Sequence, residues 1–227
     1  GIRKQNQDIF NEPHIKSLIE KTVITRRFKE IAGHKYDVHN INISQNAAER
    51  NIYHKIIHEL HEIIPQKSDR VGRMKRITDQ MNLLIDATST PQLIKGYESD
   101  LMPNKAKKIL EMVGGFNERV AVGCTSLKAL DYYTNLFIEN FKDRNLYVIH
   151  GSVPFHERKN IISYFEADET GILLCMQQAL RASVNIPSCN KVIVESKQWN
   201  IPKIEQWFFR FIRYNSLEHT DVYIISY

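Results

Sequence analysis

After about residue 104 the sequence breaks into short runs that are apolar at nearly every position: "RVAVGC", "NLYVIH", "GILLCM", "NKVIVE" and "DVYIIS". Stretches of helical length separate them, among them "SLKALDYYTNLFIENF" and "PFHERKNIISYF". A strand with one solvated face alternates apolar and polar residues, whereas a strand apolar throughout must be covered on both faces. Helices between such strands act as crossovers, so the pattern predicts an α/β fold: a parallel sheet sandwiched by helices. In sheets of this kind ligands gather at the carboxyl ends of the strands, and that edge is where candidate chemistry belongs.

The first hundred residues read differently. "HIKSLIEKTVITRRFKEI", "SQNAAERNIYHKIIHELHEII" and "RMKRITDQMNLLIDAT" each carry apolar residues at three- and four-residue spacing, as amphipathic helices do. Ser44 is the expected N-cap of the second helix and Pro65 its stop. Between the first two lies "YDVHNINIS", whose Val38, Ile41 and Ile43 suit one short strand, and "PQKSDRVGR" reads as an exposed basic loop. The expected division is therefore a mainly helical extension over 1–103 and an α/β lobe over 104–227.

Composition narrows the function classes. Three scattered cysteines, Cys124, Cys175 and Cys189, give no C-x-x-C pair and no disulfide framework, and read as buried thiols of a reducing compartment. No apolar run is long enough to cross a bilayer, and the opening "GIRKQNQDIF" lacks the apolar core of a secretory signal. The expectation is a cytoplasmic chain that is a piece of something longer. A net charge of +5 and a pI near 9.0 fit a polyanionic partner but are common in proteins that bind none.

Most catalytic signatures are missing. His54 and His58 are four apart on one helix, but they do not form H-E-x-x-H and lack a third ligand, so a solvated helix face is preferred and no metal is expected. There is no G-x-x-x-x-G-K-[ST] loop, no G-x-G-x-x-G and no G-x-S-x-G elbow. The chain has no phosphate-cradling loop of its own.

"EQWFFRFIRYN", residues 205–215, sets Arg210 and Arg213 among aromatic side chains. On a helix starting near Pro202 the two arginines would share one side, while Trp207, Phe208 and Phe211 pack on the sheet. Two readings stay open: snorkelling or ion-paired arginines, with Glu205 as a partner, or guanidinium forks for a phosphate held by another domain.

"VAVGCTSLKALDYYTNLF", "VIHGSVPFHERKNIISYF", "LLCMQQALRASVNIP" and "QWNIPKIEQWFFRFIR", in this order, resemble the C-terminal RecA-like lobe of Swi/Snf-type ATPases of helicase superfamily 2. Trp199, Asn200, Gln206, Arg210 and Arg213 fall on the family's W-N…Q…R-x-x-R pattern, and Gly151, Arg158 and Phe165 on its G…R…F signature. "ITRRFKEI" with Arg26 and Arg27, then "NISQNAAERNIYHKI", is similar to the helical segment between the lobes.

The resemblance implies a RecA-like second motor lobe of an ATP-dependent translocase on double-stranded DNA, its partner being an N-terminal lobe that supplies the Walker lysine and most contacts to ATP and Mg²⁺. It implies catalytic roles for Arg210 and Arg213 as arginine fingers, with Gln206 and Asn185 beside them at the nucleotide. It further implies DNA-backbone contacts from Thr125, Ser126, Ser152, Gln177 and Gln178, each of which could instead be an ordinary loop cap. The basic cluster Arg70, Arg73, Lys75 and Arg76 could add attraction or be a solvated face.

Departures from the family pattern keep an alternative open. Gln177 stands where the family has a threonine, Leu180, Arg181 and Ser183 where it has glycines, and Ser216 where it has a glutamine. A loop so altered also suits a non-catalytic module that binds nucleic acid or protein, and a strand-separating helicase is a third reading.

Overall fold

The computed structural model describes residues 35–64, 70–180, 184–197, 201–212 and 218–227. In chain order its elements are β1 (Tyr36–Asn42), α1 (Ala47–Ile63), α2 (Arg70–Ser89), a short 3₁₀ turn (Pro91–Leu93), α3 (Asn104–Gly115), β2 (Val120–Cys124), α4 (Leu127–Asn140), β3 (Leu146–Ile149), α5 (Phe155–Ala167), β4 (Ile172–Met176), β5 (Lys191–Val194), α6 (Ile201–Phe208) and β6 (Thr220–Ser226). The amphipathic stretch from His14 to Ile31, with Arg26 and Arg27, lies outside the described residues, as do Pro65, Arg181, Ser183, Trp199, Asn200, Arg213 and Ser216.

Six strands form one sheet in the order β1-β6-β5-β2-β4-β3, and every pairing is parallel. Each apolar run of the sequence became a strand. β2 is buried along its whole length, and β4 at all but its last residue, because neighbours flank them and helices cover both faces.

Side-chain alternation divides the core. Val120, Val122 and Cys124 of β2, with Ile172 and Leu174 of β4, pack with Ala106, Ile109 and Val113 of α3 and with Leu130, Tyr133 and Phe137 of α4. On the opposite face α5 sets Phe165 edge-on against Tyr147 of β3, with ring centroids 5.7 Å apart. There α6 lays Trp207 over β2 at Gly123. A Cβ at Gly123 would stand 2.5 Å from two indole carbons, so only glycine admits the ring.

β1 joins this sheet although it precedes the α/β pattern by some eighty residues. It pairs with β6 along its entire length, from Tyr36 with Thr220 to Asn42 with Ser226. Two crossed contacts bind the pair: His39 Nε2 lies 2.8 Å from Asp221 Oδ1, and His219 Nε2 lies 3.0 Å from Asp37 Oδ2. Tyr36 also meets Phe208 and Phe209, at 6.2 and 5.7 Å between centroids.

Two local expectations are corrected. The N-cap of α1 is Asn46, not Ser44: its side chain accepts from Glu49 N at 2.9 Å while Asn46 N donates to Glu49 Oε2 at 2.6 Å, a reciprocal box that Ser44 sits too early to make. The basic "DRVGR" stretch is helical from Arg70 rather than a loop, so Arg73, Lys75 and Arg76 lie along α2.

Replacing Gly123 with alanine should force the fully buried Trp207 off β2, because a methyl there overfills a packed core. A loss of about 1–3 kcal/mol is expected in urea unfolding, with a red-shifted indole emission.

Candidate functional site

At the carboxyl ends of β2, β3 and β4 three loops meet the surface. Thr125 and Ser126 follow β2 and are partly exposed. Ser126 caps α4, its hydroxyl accepting from Ala129 N at 3.2 Å. Gly151 and Ser152 follow β3 and are exposed. After β4 the chain turns at Met176–Ala179, where Ala179 N donates to Met176 O at 2.8 Å.

That turn separates two residues expected to act alike. Gln178 is exposed. Gln177 is fully buried, and its Nε2 donates to Gly123 O at 3.1 Å and to Ser196 O at 2.9 Å. An amide committed to two carbonyls inside the fold is not turned toward a ligand at this edge, so Gln177 is corrected from surface contact to internal tie. Its backbone N–H also extends the β2–β4 pairing by donating to Cys124 O at 3.0 Å.

Arg158, near the start of α5, fastens the β3 and β4 loops to each other. Its Nε donates to Val153 O at 2.7 Å, Nη2 to Gly151 O at 2.8 Å and Nη1 to Ala179 O at 2.7 Å. A planar fork spreads fixed donors over three nitrogens and so reaches carbonyls too far apart for the single ammonium of a lysine. The sequence marks Arg158 as a signature residue but not what it holds.

α6 is shorter than its apolar periodicity suggests. It ends at Phe208, after which Arg210 N donates to Trp207 O and Phe211 N to Phe208 O, the tighter spacing of a 3₁₀ turn. Arg210 O leaves the helical ladder to accept from Ile186 N at 2.8 Å. Trp207, Phe208, Phe211 and Ile212 are buried, and Arg210 remains partly exposed. Gln206 and Asn185 are exposed. Arg210 thus sits in a turn beyond the helix, with the aromatics anchoring it as expected.

A buried polar network at the carboxyl ends of β5 and β6 was not foreseen. Glu49 Oε1 accepts from Asn104 N at 2.7 Å and from Tyr227 Oη at 2.8 Å, so one carboxylate caps α3 as well as α1. Lys105, 2% exposed, donates from Nζ to Ser196 Oγ at 3.3 Å, and Ser196 Oγ donates to Glu195 Oε1 at 2.9 Å. Burial lowers the Lys105 pKa, against the pull of Glu195 and Glu49, and burial raises that of Glu195, against Lys105. The "N-A-A-E" of a capping box was the available signal, hidden by assigning the cap to Ser44.

Among the described residues no group of three or more His, Cys, Asp or Glu is placed to hold a metal ion, and no helix is long and apolar enough to cross a membrane. Cys124, Cys175 and Cys189 are buried free thiols, the latter two pushed up to about 12 by burial.

Residues 104–215 match the helicase conserved C-terminal domain family. The fold is also that of solved Swi/Snf-type lobes: the C-terminal part of the Fun30 ATPase domain overlays with a TM-score of 0.68 at 14% identity, covering 84% of each chain. Over residues 104–215 the sequence is thus similar to a helicase conserved C-terminal domain, and the fold is that of the C-terminal part of the Fun30 ATPase domain. The Sulfolobus solfataricus SWI2/SNF2 ATPase core overlays this helicase lobe with a TM-score of 0.69 at 17% identity, over 93% of this chain and 45% of that one. The same core in complex with dsDNA gives 0.68 at 19% identity, over 93% and 46%. This chain therefore spans under half the length of that core. A search of the curated proteins found no match.

Arg158→Ala should free both loops of the helicase lobe at once. We expect about 1.5–3 kcal/mol of lost stability in urea unfolding and faster amide exchange at 151–153 and 177–180. Arg158→Lys should restore only part of the protection.

Proposed function

We propose that this chain is the second lobe of an ATP-dependent motor that moves along double-stranded DNA, working against a first lobe that holds the nucleotide. The observation that carries the reading is the overlay on a core solved with dsDNA, which extends over 93% of this chain. The loops after β2, β3 and β4 supply the surface for backbone contact, through Thr125, Ser126, Ser152 and Gln178. Such contacts ignore sequence, as a translocating motor requires.

The same reading gives Arg210 and Arg213 to ATP. A phosphate on the facing lobe calls for a fixed cation at the rim of this one, and Arg210 fits: its backbone is tied to Ile186 and its neighbours Trp207 and Phe211 are buried, so little motion is left to the guanidinium's base. Gln206 and Asn185, both exposed, would flank the nucleotide. The arginines would offset charge building on the transferred phosphoryl group as the cleft closes. Mg²⁺, held by the first lobe, would neutralise the β- and γ-oxygens. On this reading residues 1–103 form the inter-lobe extension and 104–227 the lobe, and the protein works in the cytoplasm at DNA.

The second reading, a binding module without catalysis, is favoured by the loop after β4, where Gln177 is drawn into the core and a side chain stands at each of three family glycine positions. Enzyme assays separate the two. The chain alone should not hydrolyse ATP; joined to its first lobe it should gain DNA-stimulated turnover, which Arg213→Ala lowers on the order of 10³ and Arg210→Ala also lowers. Turnover unchanged in both variants would remove the arginine-finger role, and no DNA stimulation in the joined protein would favour the module.

A further inference from the structure

The polar network beneath β5 and β6 is the floor of an open cleft of about 530 Å³ at the carboxyl ends of β1, β6 and β5. This half of the sheet edge carries none of the described residues assigned above to DNA or ATP. The volume lies within the range of small-molecule sites, roughly 300–1,000 Å³. Among the described residues its wall contains three cations, Arg50 from α1, Lys105 from α3 and Lys197 just past β5, and no aspartate or glutamate.

Two carboxylates lie beneath the wall, but neither can answer the rim. Glu49 is fully buried with both oxygens engaged, by Asn46 N on one side and by Asn104 N and Tyr227 Oη on the other. Glu195 is also fully buried and receives the Ser196 hydroxyl. These two face Lys105. Arg50 and Lys197 are exposed above them, so the mouth of the cleft is cationic while its floor sets Lys105 between two buried carboxylates. Ser44 and Ser226 add hydroxyls to the wall.

We propose that this cleft binds a phosphoryl-class oxyanion, gripped at the rim by Arg50 and Lys197 and met at the floor by the buried Lys105. Lys105 faces the Glu195 and Glu49 charges and the Tyr227 ring, 5.2 Å away, but among the described residues its three donors make one hydrogen bond, to Ser196 Oγ at a long 3.3 Å, so donors remain for a ligand. An oxyanion above it completes the cluster from the open side. The bidentate fork of Arg50 suits the spacing of two phosphoryl oxygens, and Lys197 adds a mobile point charge. The same chemistry could come from a free phosphate or diphosphate, or from the backbone of a nucleic acid. The proposal does not depend on the motor reading.

The test titrates the full chain with pyrophosphate and, separately, with a short DNA duplex, following binding by calorimetry. The variants are Arg50→Gln with Lys197→Gln, two exposed sites whose change leaves the core intact. Pyrophosphate should bind the wild type and weaken by about tenfold or more in the double variant. If duplex binding weakens in parallel and pyrophosphate competes with the duplex, the occupant is a nucleic-acid backbone. If duplex binding is unchanged while pyrophosphate binding is lost, the occupant is a free phosphate compound. Equal binding of both probes by wild type and variant, or no binding of either, overturns the site. Duplex binding that falls in Arg158→Ala but not in the double variant locates DNA on the β2–β3–β4 loops and leaves the pyrophosphate result to decide the cleft.

Discussion

The contact of Trp207 with the bare backbone at Gly123 is the constraint from which the rest of this lobe is laid out. β2 stands at the centre of the sheet, and the indole rests on it because position 123 has no side chain. That contact seats α6, and a seated α6 brings Phe208 and Phe209 to Tyr36 at the sheet edge and leaves Arg210 in the turn beyond. A single glycine in the middle strand thereby sets the position of a cation at the rim. The same residue's carbonyl receives the Gln177 amide, so the seat of the helix and the root of the β4 loop share one peptide unit.

Polar ties do comparable work between α1, α3 and the end of β6. Glu49 lies on α1, Asn104 opens α3 and Tyr227 follows β6, and one carboxylate receives all three sets of bonds. A group so enclosed costs free energy to bury and returns it only when every acceptor is used, which favours a single arrangement of these elements. Arg158 has the matching role at the other half of the edge, where it joins two loops that the sheet alone would leave independent.

Strands were the most legible part of the sequence, because fully buried strands of a parallel sheet must be apolar at successive positions and few other structures ask for that. Helices were legible by period, although their ends were not: Asn46 and Ser44 are both good caps, and only the position of Glu49 decides between them. The partner of β1 could not be read, since 182 residues separate His39 from Asp221 and nothing local in "YDVHNIN" names β6. At the candidate site residue type was a poor guide to exposure. Gln177 and Gln178 are neighbours of identical chemistry, and the turn at Met176–Ala179 sends one inward and the other out. The Lys105 network showed in the sequence only at its capping box, because its other members come from α3 and the ends of β5 and β6, distant in sequence and joined only by folding.

The neighbour relation of β1 and β6 has a consequence for the order in which the sheet is completed. Among the described residues β1 is the earliest strand and β6 the last, and β1 pairs with no strand but β6. During synthesis on a ribosome the first strand must therefore wait, unpaired, until the final one has emerged and docked on β5. Closing so long a loop is slow, and an unpaired strand invites other partners in the meantime. The crossed histidine–aspartate contacts then act as a registration key: a slide of β1 by even one residue would misalign both, so the late arrival has one seat to take.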